Sequence, residues 1–226
     1  MKKALSILLV LLLTGMLAAC GNEATNDSAL EAAPSKSQIE ETTTSETQPP
    51  AAELVPVESE FDLDAGTVTL NNGVSMPILG IGTFALSDSE AEESVYWALR
   101  DGYRLIDTAR IYGDEAGVGR GIRRAIDEGF VTREEIFVTT KMWTSDYDNG
   151  DAAINASLER LGLDYIDLMI LHHSQPGNDV EAYQAMERAV ADGKLHSIGL
   201  SNFYEPEDFD RLAEATTIPP ALLQNE

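Results

Sequence analysis

Beyond about residue 78 the chain alternates between two hydrophobic periods. Apolar runs at Ile78–Gly82, Arg104–Ala109, Ile136–Lys141, Ile166–His172, Ser197–Ser201 and Ala221–Glu226 have the density of buried strands. Between them apolar residues recur at helical spacing. Ser89 to Asp101 aligns Ala91, Val95, Ala98 and Leu99, and residues 115–128 align Val118, Ile122, Ala125 and Ile126. Residues 149–161 and 179–191 and the segment EPEDFDRLAEA predict further helices. Ser87 or Asp88 can cap the first helix, Gly102 and Gly129 can end the first and second, and Pro206 suits the opening turn of the fifth. Ahead of these, TVTLNNGVSMP reads as a hairpin around an Asn-Asn-Gly turn.

Apolar strands separated by helices call for a parallel sheet covered by helices. A doubly wound sheet and an eight-stranded barrel both fit that alternation. The polar residues favour the barrel, because almost every run ends in polar or small residues that could line one mouth. A glycine-rich dinucleotide loop is missing as well. GVGRG at 117–121 lies inside a helical stretch rather than after a strand, and reads as a packed helix that tolerates glycine.

The start of the chain obeys a different pattern. Lys2 and Lys3 precede an apolar stretch from Ala4 to Ala19 that ends LAAC, which reads as an export signal over residues 1–19. Cys20 is the only cysteine, so it has no internal disulfide partner. LAAC resembles the bacterial lipoprotein signal. That resemblance implies cleavage before Cys20, acylation (palmitate) of Cys20, contact with a lipid bilayer, and a lipid-anchored place on the extracytoplasmic face of the cell membrane. Plain secretion with a free thiol is the alternative. Residues 20–65 are rich in Glu, Thr, Ser, Ala and Pro with Lys36 as their one basic residue, so a disordered acidic tether is expected there. The domain itself is expected over residues 66–226. A formal charge of −24 argues against nucleic-acid binding. Three histidines and one cysteine give no clustered ligand set, and no metal is expected.

Asp107, Lys141 and His172 close the runs RLIDTA, IFVTTK and IDLMILHH, and Tyr112 follows the first run closely. In a barrel of parallel strands these ends converge on one mouth. An acid, an amine, an imidazole and a phenol gathered there form a proton-transfer apparatus. Such a set would suit a reaction such as carbonyl reduction, which leaves an alkoxide that needs a proton donor and nearby hydrogen-bond donors. Tyr112 is the candidate acid, with Lys141 expected to lower its pKa, Asp107 to fix Lys141, and His172 to orient the carbonyl. Phe84 and Trp143 lie just past strand ends and are candidate walls of a substrate pocket that His172 completes.

With those residues in order, the chain resembles the aldo-keto reductases from Thr67 to Glu226. LNNGVSMPILGIGTF is similar to the family's opening hairpin and first strand. DTARIYGDEAGVGRGI carries its aspartate and tyrosine, VTTKMW its lysine and LDYIDLMILHH its histidine. The resemblance implies an α/β fold, the (β/α)8 TIM barrel, and an oxidoreductase that takes NADPH, with NADH possible, and a small-molecule carbonyl substrate. It implies that Ser201 and Asn202 of GKLHSIGLSNF, and Gln224 of ALLQNE, hold the nicotinamide amide beside Asp107. Two departures stand out. His173 and Ser174 replace a common Trp-Pro, and Leu223 stands where asparagine is common. Six strand runs against the family's eight imply a barrel truncated after the sixth strand, without the Lys/Arg phosphate loop, and a longer natural protein. The rival to an enzyme is a degenerate barrel acting as an extracytoplasmic, membrane-anchored binding or scaffold module.

Overall fold

The computed structural model describes residues 59–225. The expected export signal, Cys20 and most of the expected tether lie outside the described residues.

A short antiparallel sheet comes first, with β1 (Glu60–Asp62), β2 (Thr67–Thr69) and β3 (Ser75–Pro77) in that order. β1 lies within the stretch expected to be tether. Its sequence, Glu-Phe-Asp, is wholly exposed and gains structure only by pairing with β2. The Asn-Asn-Gly turn joins β2 to β3, and Gly73 there adopts φ +83°.

A second sheet holds β4 (Gly80–Gly82), β5 (Leu105–Asp107), β6 (Phe137–Met142), β7 (Ile166–Leu171), β8 (Leu195–Ser201) and β9 (Leu223–Gln224). All neighbours are parallel and the spatial order is the chain order. A doubly wound sheet would reverse its strand order; this one never does. The helices α1 (Asp88–Arg100), α2 (Glu115–Asp127), α3 (Gly150–Leu161), α4 (Asp179–Ala191) and α5 (Pro206–Ala215) fill the crossovers. The architecture is a (β/α) barrel with six of its staves, leaving β4 and β9 as open edges among the described residues. The curl is real: the Gln224 amide on β9 reaches the Asp107 carboxylate on β5, 3.3 Å away.

Local chemistry explains the helix boundaries. Ser87 and Glu90 form a reciprocal capping box at the head of α1, Gly102 takes φ +98° beyond its end, and Pro206 opens α5. Alternation along the strands then separates two cores. Ile106, Val138, Met169, Leu171, Ile198 and Leu200 face the helices, while Phe137, Leu168 and Ile170 face inward. Val68 and Leu70 of the hairpin pack under that inner set, and the Asn72 amide ties the turn to His196 and Ser197. The hairpin therefore closes the amino-terminal end of the barrel. Inward side chains at the carboxyl ends are left facing the opposite mouth.

GVGRG proves to be more than tolerant. Gly117, Gly119 and Gly121 lie on buried faces of α2, and a Cβ on each would collide with the backbone of a neighbouring helix. At Gly121 it would sit 2.6 Å from the Glu92 carbonyl oxygen. These glycines let α1 and α3 approach α2 backbone to backbone.

Candidate active site

The inward parity that carries Leu105 and Phe137 in the barrel core also carries Asp107 and Lys141 two and four residues on. On β7 the same parity runs from Leu168 through Ile170 to His172. Tyr112 arrives differently. It ends a single 3-10 turn, Arg110–Tyr112, and Gly113 follows in the left-handed region at φ +78°, which turns the chain into α2. The phenol is thereby placed beside Lys141 rather than above the helix.

Lys141 is almost completely buried, with 2% of its side chain accessible. Its ammonium donates to an Asp107 carboxylate oxygen, to the Thr108 carbonyl at 2.9 Å and to the Tyr112 hydroxyl at 3.5 Å. The Tyr112 ring stands edge-on to His172, with centroids 5.9 Å apart. Phe84 packs edge-on against Tyr112 at 5.1 Å, and Trp143 against His172 at 5.2 Å. His173 stacks nearly parallel on His172 and also meets Trp143. It therefore belongs to this aromatic wall.

The electrostatics differ from the expectation at one point. Burial, aided by the carboxylates of Asp107 and Asp114, pushes the Tyr112 phenol up to about 12, where a lowering by Lys141 was expected. The Lys141 ammonium is paired with Asp107, whose carboxylate is one of the charges that raise the phenol. Tyr112 is consequently protonated across the neutral range, the form that can give up a proton. Burial also lowers the Lys141 pKa, opposed by Asp107 and Asp114.

Burial, Lys141 and His173 depress His172 from 6.5 to about 4, so its ring is neutral at neutral pH. Its Nδ1 is buried without a hydrogen-bond partner among the described residues. The unfolded chain takes up this proton near 6.5 and the folded one only near 4, so stability falls as pH drops through that interval. His172→Gln should therefore flatten the loss of melting temperature between about pH 6.5 and about pH 4.5. Parallel slopes in the two proteins would show that the ring is not held neutral.

Ser201 ends β8 in a buried position, and Asn202 follows at φ +56°. The Asn202 amide donates to the His172 carbonyl at 2.8 Å and to Ser201 Oγ at 3.0 Å, and its oxygen accepts from the Tyr204 hydroxyl at 2.7 Å. Asp107, Ser201, Asn202 and Gln224 thus occupy the carboxyl ends of β5, β8 and β9. Tyr204 was not anticipated from the sequence; an exposed tyrosine in a loop gives no signal until its partner is known. Among the described residues no group of three or more His, Cys, Asp or Glu side chains is placed to hold a metal ion.

Chain-ordered parallel strands with a Lys-Asp-Tyr-His cluster at their carboxyl ends define a (β/α)-barrel protein with a candidate proton-transfer site at its mouth. The aldo/keto reductase family model matches residues 77–226, and the chain belongs to the aldo-keto reductases. It is 44% identical over 161 residues to the uncharacterized oxidoreductase YtbE of Bacillus subtilis, covering 70% of this chain and 57% of that one. It is 37% identical over 188 residues to an NAD(P)H-dependent D-xylose reductase of Candida tropicalis, covering 71% and 58%. A crystal structure of a Bombyx mori aldo-keto reductase in complex with NADP superposes with a TM-score of 0.65 at 41% identity, covering 71% of this chain and 57% of that one. The chain thus spans little more than half the length of these relatives.

The match overturns one expectation, the lipid-anchored location on the extracytoplasmic face of the membrane. The described residues superpose on part of aldo-keto reductases of known structure, and none of the described helices is long and apolar enough to cross a membrane. The longest helices have 13 residues and bury one face against the sheet, well short of the roughly 20 apolar residues a span needs.

Proposed function

We propose that the domain beginning at β1 reduces an aldehyde or ketone to an alcohol at the expense of NADPH, or of NADH, with Tyr112 as proton donor. One observation carries the reading. A buried lysine touches both a carboxylate and a protonated phenol, and a neutral imidazole faces that phenol across the mouth. Such a set gives a carbonyl oxygen two hydrogen-bond donors, Tyr112 and His172, and gives the developing alkoxide a proton. Lys141 stabilises the phenolate left behind, and Asp107 keeps Lys141 charged and aimed.

The side chains at the ends of β8 and β9 fit a carboxamide. Gln224 offers an amide donor and acceptor, Ser201 a hydroxyl, and Asn202 the second lone pair of its amide oxygen, matching a group that itself both donates and accepts. They would hold the nicotinamide amide beside Asp107. A bound reduced nicotinamide supplies the hydride. Relatives named for NAD(P)H dependence or solved with NADP support this assignment. Phe84 and Trp143 would wall the substrate pocket with His172.

The full chain, given NADPH and a simple aldehyde such as butanal, should consume the cofactor and yield the alcohol. Fluorescence titration should show NADPH binding in the absence of aldehyde. A chain that neither consumes nor binds NADPH overturns the proposal.

A further inference from the structure

Two buried threonines flank the site. Thr108 comes immediately after Asp107, the last residue of β5, and Thr140 precedes Lys141 on β6; both are fully inaccessible and face away from the mouth toward α2. Each hydroxyl donates to a carboxylate at the head of that helix. Thr108 Oγ1 lies 2.7 Å from Asp114 Oδ1, and Thr140 Oγ1 lies 2.7 Å from Glu115 Oε1. The carboxylates belong to consecutive residues, with 0% and 1% of their surface exposed.

Burying adjacent carboxylates is costly unless their charges are met. Glu115 is met by Arg160 of α3, whose Nε donates at 2.6 Å. Asp114 has no such cation, and its Oδ2 has no partner among the described residues. Its surroundings explain why it is retained. The Thr108 carbonyl accepts from Lys141 Nζ at 2.9 Å while the Thr108 hydroxyl holds Asp114, so one residue links the carboxylate to the amine. Asp114 also immediately follows the Tyr112–Gly113 turn, so its anchoring fixes where the phenol stands.

We propose that Asp114 and Glu115 are positioning residues. By gripping Thr108 and Thr140 from the far side of the sheet, they hold Asp107 and Lys141 in register and set Tyr112 beside them. Neither carboxylate touches the mouth. This role rests on the carbonyl-reducing reading above, and it deepens that reading.

A charge effect follows from the same placement. The charged and titratable groups around Asp114 are Lys141, paired with Asp107; Tyr112; Glu115, paired with Arg160; Asp88 of α1, paired with Arg120; and Arg110, paired with Asp146. The negative charge of Asp114 raises both Tyr112 and Lys141. Removing it should let the phenol ionise at lower pH.

The test uses the full chain with NADPH and butanal. Asp114→Asn keeps an acceptor for Thr108 and removes the charge. Its kcat should lose its alkaline limb at a pH about one unit lower than wild type, with KM for butanal within about twofold. Thr108→Val should lower kcat and Thr108→Ser should restore it. An unmoved alkaline limb in an active Asp114→Asn protein, with Thr108→Val at wild-type rate, overturns the proposal. A crystal structure of Asp114→Ala gives a readout free of turnover: Lys141 Nζ should leave the Thr108 carbonyl, opening to more than about 3.5 Å. An unchanged contact there also overturns the positioning role. A wild-type chain that reduces nothing defeats the enzyme reading instead, and the crystallographic arm still decides the positioning claim; should Asp114→Ala fail to fold, the same distance is read in Thr108→Val.

Discussion

Tyr112→Phe should cut kcat for aldehyde reduction by about 10³-fold while leaving NADPH affinity and melting temperature near wild type. The phenyl ring keeps the edge contacts that seat the tyrosine, with Phe84 at 5.1 Å and His172 at 5.9 Å. What disappears is the one hydroxyl that lies against Lys141 and is held protonated by its surroundings. Lys141 keeps its other partners, Asp107 and the Thr108 carbonyl, so the variant leaves no uncompensated charge. His172 remains as a hydrogen-bond donor to the carbonyl, and orientation alone accounts for the residual rate. Steady-state kinetics beside a fluorescence titration separates the two effects. A variant retaining more than a tenth of the wild-type rate would move the proton donor to another group.

The largest loss of stability should come from a residue with no side chain. Gly117→Ala places a methyl group against the backbone carbonyl of Asp88, where neither helix can yield by rotating a side chain. The Gly117 amide also donates to the Asp88 carboxylate at 2.7 Å, so moving α1 outward breaks a hydrogen bond as well as the packing. Overpacking of this kind costs about 3 kcal/mol or more. The cost falls on the most extensive helix contact of the fold, which buries Val95 and Leu99 of α1 against Val118 and Ile122 of α2. Urea unfolding should show a midpoint lowered with an unchanged slope. A variant as stable as wild type would mean that the two helices do not meet at Gly117.

These two substitutions mark what was readable in the sequence and what was not. The strand ends that carry Asp107, Lys141 and His172 were legible because period-two alternation fixes which side chains share a face, and an apolar run shows where a strand stops. The glycines of GVGRG were visible, but their purpose was not, since a close backbone approach depends on the neighbouring helix. β1 was invisible for a related reason: Glu-Phe-Asp has no buried face of its own and is structured only by its partner. Nothing in the sequence marks Asp114 and Glu115 as buried, since acids at a helix start are ordinarily solvated. Only the packing of α2 on β5 and β6 shows them buried. The Asp107–Lys141 pairing was foreseen, but the Tyr112 pKa was misjudged because burial of the phenol, which no sequence spacing reveals, outweighs the lysine charge beside it.

The unbroken strand order has a consequence for how the molecule comes into being. Each parallel strand from β5 onward finds its partner in the strand just before it in the chain, so no strand waits for one made later. The spatial order of the sheet therefore follows the order of ribosomal synthesis. Asp107, Tyr112, Lys141 and His172 all precede β8, so the proton-transfer cluster is spelled out before the residues at the ends of β8 and β9 emerge. The order of translation is also the order of the proposed chemistry: first the groups that would handle the proton, afterwards those that would receive the nicotinamide.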